Sequence, residues 1–150
     1  MGRCRVVLPD VVRLPLSDGD WLEVKKRLNA GEYRAMLERM TMVGADGKAK
    51  PNPLMHGVSK VVAYLLDWSL VGLDGKVIPI ADKPIDTVQR ALDSIDSETM
   101  TEIIKAVSAH EEAMDAEREA AKNATDGGSK LPATLPSPSD VAGVLTGSVN

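Results

Sequence analysis

A chain of 150 residues, 43% hydrophobic and 27% charged, is long enough for one folded domain and a tail, and its composition is that of a globular protein. Its formal charge of −4 and pI of about 5.2 argue against nucleic acid or an anionic membrane as the main partner. A single cysteine, Cys4, excludes an internal disulfide framework and fits a reducing compartment; no apolar run at the N-terminus is long enough for a signal peptide, and the longest elsewhere, Val58 to Leu73, is broken by Ser59, Lys60, Asp67 and Ser69.

There is no Phe, aromatics make up 3%, and there are 7 Met. The core must therefore rest on Leu, Val, Ile, Ala and Met. Methionine fills irregular gaps but specifies packing poorly, so modest stability is expected.

In chain order, Val11 to Leu16 reads as a strand with Val12, Leu14 and Leu16 on one face. Ser17-Asp18-Gly19-Asp20 is a turn, and Trp21 to Leu28 is the return strand. Leu22, Val24 and Leu28 face inward; Trp21, Glu23, Lys25 and Arg27 face outward. Opposed residues share a face, which favours Leu16 against Leu22 and Leu14 against Val24 around an Asp18-Gly19-Asp20 loop. A first helix starts at the cap Asn29, with Glu32 placed for a capping box and Tyr33, Met36, Leu37 and Met40 as its stripe; Gly44 should end it. Residues 44–53 read as a polar loop around an Asp46-Gly47 turn.

A second helix follows, with Asn52 as cap and Pro53 at its first position. Its broad apolar face comprises Leu54, Val58, Val61, Val62, Leu65 and Leu66, and Gly72 ends it. Asp74-Gly75 is a turn and Val77 to Ile80 a short apolar run of strand character. A third helix begins at Pro84, with Asp86 in its first turn and Ile85, Val88, Leu92 and Ile95 inward. Asp96-Ser97 caps a fourth, whose stripe is Met100, Ile103, Ile104, Val107 and Met114, with His110 and Glu111 where apolar residues would otherwise fall. Asp115 to Lys122 should continue as a solvated helical end. From residue 124 to 150 the composition turns to Gly, Ser, Thr and Pro and reads as a flexible tail. No internal repeat is evident.

The chemistry of catalysis is hard to place in this pattern. His56 and His110 fall on different helices without a ligand-spaced neighbour; Cys4 has no base in view; the run Glu111, Glu112, Asp115, Glu117, Glu119 reads as a solvated face. There is no P-loop, dinucleotide fingerprint or calcium loop. The expectation is a protein that is not an enzyme and carries no catalytic, cofactor-binding or metal residues. Binding features are more visible. Trp21, Lys25 and Arg27 on the outer face of the hairpin form a candidate partner-binding patch, because Trp and Arg anchor interfaces. The competing reading is a Trp folded under a helix, with Lys and Arg solvating an edge strand. The hairpin edge offers a route to self-assembly. Met36, Met40, Met42, Met55, Met100 and Met114 either fill the core or line an adaptable groove.

The segment Leu16 to Glu32, with its acidic-Gly turn, Trp21, the basic strand end Lys25-Lys26-Arg27 and the Gly31-Glu32 helix start, resembles the opening of tail assembly chaperones of long-tailed siphophages, especially those of actinobacterial hosts. The run Leu65 to Leu70 and the late helix Ala109 to Glu117 are similar as well, and the likeness extends over roughly residues 12 to 122. It implies a host-cytoplasmic factor that binds the tape measure protein, helps recruit tail tube protein, and self-associates. Many members are made in a short form and a longer frameshifted form, and the tail is where such a junction would lie. The alternative within the same setting is a minor tail or connector protein, which would be retained in purified virions. A nucleic-acid-binding module rests only on Lys25-Lys26-Arg27, a small footprint. The expected fold is α+β, mostly α: an N-terminal β-hairpin packed on about four helices over residues 1–123, then a disordered C-terminal tail over 124–150.

Overall fold

A computed structural model describes residues 4–127. Strand β1 (Val11–Pro15) turns Val12 and Leu14 inward, and β2 (Trp21–Lys25) returns antiparallel with Leu22 and Val24 fully buried. The faces match as expected, but the register is two residues away from the expected one: Leu14 opposes Leu22 and Val12 opposes Val24. A shift of two leaves every side chain on the same face, so the face argument alone could not separate the two registers. The wider loop decides it. Ser17–Gly19 forms a 3₁₀ turn in which Asp18 (φ 59°) and Gly19 (φ 81°) both take left-handed backbone, and the Leu16 N–H donates to the Asp20 carbonyl at 2.8 Å. The Ser17 N–H and hydroxyl then donate to the Glu102 carboxylate at 2.6 and 3.0 Å, a tie from far along the chain.

β2 ends at Lys25, short of the expected Leu28. The chain bends at Lys26 and Arg27 to enter α1 (Ala30–Arg39). Asn29 caps α1 with the full reciprocal box: Glu32 N–H to Asn29 Oδ1 at 2.8 Å, and Asn29 N–H to Glu32 Oε1 at 2.9 Å. Asn29→Ala is expected to lower stability by about 1 kcal/mol in urea denaturation. Met36 is the buried residue of α1, whereas Tyr33 and Leu37 are 49% and 42% exposed.

α1 ends at Arg39, before the expected Gly44. β3 (Thr41–Val43) and β4 (Ala49–Pro51) then form a hairpin where a polar loop was expected. Both strands are exposed throughout, so no buried alternation announces them. The Asp46-Gly47 turn stands as expected, with Gly47 at φ +78°.

This turn has a twin. Gly44-Ala45-Asp46-Gly47-Lys48 and Gly72-Leu73-Asp74-Gly75-Lys76 each lie in a stretch reading Val-Gly-x-Asp-Gly-Lys-x-x-Pro, a short internal repeat where none was expected. Their hydrogen bonds match one for one. Gly44 and Gly72 N–H donate to the Lys48 and Lys76 carbonyls, both at 2.9 Å; Gly47 and Gly75 N–H donate to Gly44 and Gly72. Lys48 and Lys76 N–H donate to Asp46 and Asp74 Oδ1, both at 3.0 Å. The expected short strand after Gly75 is a single bridge, Val71 to Val77.

The second helix is shorter at both ends than expected. Asn52 Oδ1 accepts from the Leu54 N–H at 3.2 Å, so Asn52 organises a turn, and α2 (His56–Tyr64) begins beyond it. At Leu65 the chain leaves the helix and becomes β5 (Leu65–Trp68), the third strand of a sheet ordered β1-β2-β5. β5 runs antiparallel to β2, with Leu22 opposite Trp68 and a bulge at Glu23/Val24. The fully buried Leu22 and Val24 place β2 inside the protein, where its second backbone edge needs partners; β5 supplies them. An apolar run of this length suits helix and strand equally by pattern alone.

α3 (Ile85–Ser94) starts after Pro84 as expected, burying Val88, Ala91 and Leu92, while Ile85 is 48% exposed. α4 (Ser97–Gly127) is capped by Asp96, whose two carboxylate oxygens accept from the Thr99 N–H and hydroxyl, each at 2.8 Å. The Thr99 backbone bond, seconded by its hydroxyl, holds the Asp96 carboxyl below its ordinary range. Ile103 and Val107 are completely buried. Because α4 continues to Gly127, residues 124–127 are helical rather than tail; the tail expected over 128–150 lies outside the described residues. The chain divides into two units, Met1–Glu112 and Ala113–Asn150. In the second, Asp115 to Lys122 is exposed and Arg118 pairs with Asp115 at 2.8 Å. The fold is α+β and mostly α. Among the described residues no helix is long and apolar enough to cross a membrane.

Candidate interaction surface

Strand alternation puts Trp21, Glu23 and Lys25 on the face of β2 that points away from Leu22 and Val24. Trp21 is half-buried, and what covers it is Arg13, whose guanidinium lies 3.7 Å from the ring centroid. Arg13 also reaches Glu23 at 3.5 Å. Arg13 is not among the residues expected in this patch. The observed register supplies the signal: Pro15 opposes Trp21, so Arg13 is its diagonal neighbour. Lys25 is held by Glu32 at 2.6 Å. Arg27 stands past the end of β2, in the bend before α1, so strand geometry does not place it beside Trp21 and Lys25. Trp21 and Lys25 thus share a face, in an order set by Arg13, Glu23 and Glu32.

Glu32 joins the α1 cap to this face. Desolvation acts to raise its pKa, but the Lys25 ammonium and the Asn29 N–H outweigh it and hold the carboxyl below its ordinary value. A depressed carboxyl stabilises the fold above its unfolded pKa, and that contribution is lost as pH falls through the folded value. The stability advantage of the natural protein over Glu32→Gln should therefore be present at neutral pH and shrink below about pH 4. Urea titrations at both pH values measure it; a gap independent of pH would contradict the assignment.

The two histidines lie in unlike surroundings. His110 is 6% exposed, and its Nε2 lies 3.1 and 3.0 Å from the Lys25 and Lys26 carbonyls. Both partners are acceptors, so Nε2 carries the proton and donates to both. Its ring meets Tyr64 edge-on at 5.8 Å. His110 thus holds the chain where it leaves β2, through the Lys25 and Lys26 carbonyls. Beside it, Glu111 pairs with Lys60 at 2.9 Å and accepts from the Tyr64 hydroxyl at 3.4 Å. His56 is exposed at the start of α2. Among the described residues no three His, Cys, Asp or Glu side chains gather where they could hold a metal ion.

His56 instead borders an open groove of about 710 Å³. One wall is the C-terminal end of α1 and the start of β3 (Leu37, Met40, Thr41); β4 supplies Lys50 and Pro51, and the turn into α2 closes it with Asn52 and Pro53. Large apolar side chains stand exposed in the same part of the chain: Met42 at 47%, Val43 at 73% and Leu54 at 87%. Three of the six methionines singled out reach the core, one of them also the groove, and Met42 is exposed. Met36 is core, Met100 packs on the core, and Met40 does both, touching the core and lining the groove.

No family model, curated protein or solved structure matches this chain.

Proposed function

We propose that this protein is a tail assembly chaperone of a long-tailed bacteriophage, acting in the host cytoplasm to bind the tape measure protein and help recruit tail tube subunits. What supports the reading is the likeness of residues 12 to 122 to that family, together with one physical observation. An open groove has Leu37, Met40, Pro51 and Pro53 in its lining, and Met42, Val43 and Leu54, next in sequence to residues of that lining or within two of them, are exposed to water. Large apolar side chains left exposed close in sequence to a concave site mark a place where another molecule is buried. A factor that keeps a long helical partner soluble needs such a surface, and needs charge on the complex as a whole, which the chain's −4 supplies.

The test is co-expression with a candidate tape measure protein, to be sought as a long, helix-rich reading frame immediately downstream of this one. A soluble complex that survives affinity purification and gel filtration is the expected result. A partner left insoluble and unbound would remove the proposal. Mass spectrometry of purified virions should find the protein absent or far below stoichiometric amounts; stoichiometric retention would favour a minor tail component.

A further inference from the structure

The chain is acidic, yet the neighbourhood of the groove is not. Residues 33 to 66 carry five Lys and Arg (Arg34, Arg39, Lys48, Lys50, Lys60) against two acids, Glu38 and Asp46; with Lys60 paired to Glu111 of α4, four cations face those two acids. The groove's lining includes Lys50 and His56 and no carboxylate. Lys50 does approach Asp46, at 3.8 Å, but both side chains are about half exposed, so water screens that pair and leaves the ammonium able to meet another anion.

We propose that the groove takes one amphipathic helix of a partner, its apolar stripe seated on Leu37, Met40, Pro51 and Pro53 and its flanking carboxylates directed at Lys50 and His56. This deepens the chaperone reading and rests on it for the identity of the partner. A helix suits the site better than an extended segment. Five of the nine lining residues are apolar (Leu37, Met40, Ala49, Pro51, Pro53), and a helix arrives with its backbone hydrogen bonds already made, whereas an extended chain would have only the three-residue edge of β4 to pair with, where Pro51 offers no N–H. Side chains at i, i+3 and i+4 of one helix would fill a shallow open site of this size.

The preference is testable because it opposes the chain's overall charge. Long-range electrostatics of a −4 protein favour a basic ligand, while the groove favours an acidic one. Two labelled helical peptides of about 20 residues, sharing one Leu/Met stripe and flanked by Glu in one and Lys in the other, serve as probes for fluorescence anisotropy. The Glu-flanked peptide should bind the natural protein about fivefold tighter than the Lys-flanked one. Lys50→Glu should reverse that order, and Leu37→Asp should abolish binding of both. Leu37 is 42% exposed and the Lys50 side chain 53%, and unchanged circular dichroism and urea midpoints check that the variants fold. Equal affinities, a preference for the Lys-flanked peptide, or no binding of either overturns the proposal.

The same variants are then co-expressed with the candidate tape measure protein. Loss of the complex with Leu37→Asp supports groove and chaperone together. A complex that survives Leu37→Asp overturns the groove and leaves the chaperone reading standing. No complex with the natural protein, alongside discriminating peptides, removes the chaperone reading and keeps the groove. If Leu37→Asp instead dissociates a homo-oligomer in sedimentation velocity, the occupant is a second copy and the proposal fails.

Discussion

Trp68→Ala should cost about 3–5 kcal/mol of unfolding free energy, a large part of what a domain of this size possesses. Trp68 is 1% exposed and lies opposite the completely buried Leu22 of the middle strand. Its indole N–H also donates to the Ile78 carbonyl at 2.9 Å, and the Ile78 N–H in turn donates to the Leu70 carbonyl at 2.9 Å. One side chain therefore fills the space beside β2 and ties down the second of the two matching turns. Alanine removes both and leaves a cavity beside β2, which cannot shift to close it because β1 holds its other edge. Trp68→Phe separates the contributions: it keeps most of the apolar area, loses the hydrogen bond, and should cost about 1–3 kcal/mol. Urea denaturation of the three proteins decides the matter. A loss below about 1 kcal/mol for the alanine variant would mean that β5 does not occupy its assigned place in the sheet.

Ile103→Ala should be nearly as damaging, at about 2–5 kcal/mol. Ile103 and Val107 are both fully buried one turn apart on α4. Beside them Ile104 packs over Gly57 of α2, so closely that a Cβ there would stand 2.9 Å from the Ile104 Cδ1. With α4 seated that near to α2, little collapse into the space left by Ile103 is available. Lys105→Ala, on the exposed side of the same turn, should lie within about 0.5 kcal/mol of zero. Similar losses at positions 103 and 105 would show that α4 presents a different face to the core.

The surfaces these substitutions probe are legible from residue spacing alone. Val12, Leu14, Leu22 and Val24 alternate, while Val88 with Leu92, and Ile103 with Val107, recur at helical spacing. The residues of β2, α3 and α4 in that set are buried, and the two of β1 pack on the core. The Asn29–Glu32 box and the Asp96 cap are legible for a similar reason. A cap is an arrangement between residues three apart, so no distant partner takes part. Trp21 and Lys25 can be assigned a common face because they belong to one strand. Arg13 cannot be placed over Trp21 without the register, and the loop that sets the register is tied to a carboxylate at position 102.

The groove shows the same division. Leu37 and Met40 are visible as apolar positions of a helix, but not that they line an open hollow, because that depends on where β3 and β4 turn back. Neighbours within a turn or a strand suffice to set which faces are apolar and where the capped helices begin, and composition suffices for the overall acidity, so these could be read residue by residue. Contacts between distant segments were needed for the rest: that Leu65–Trp68 leaves the helix to complete the sheet, that α1 stops at Arg39, and that Lys50 and His56 border one apolar hollow. Those outcomes depend on backbone edges and side chains far apart in the chain, and the hydrogen-bonding needs of a buried middle strand outweigh the local preference of an apolar run.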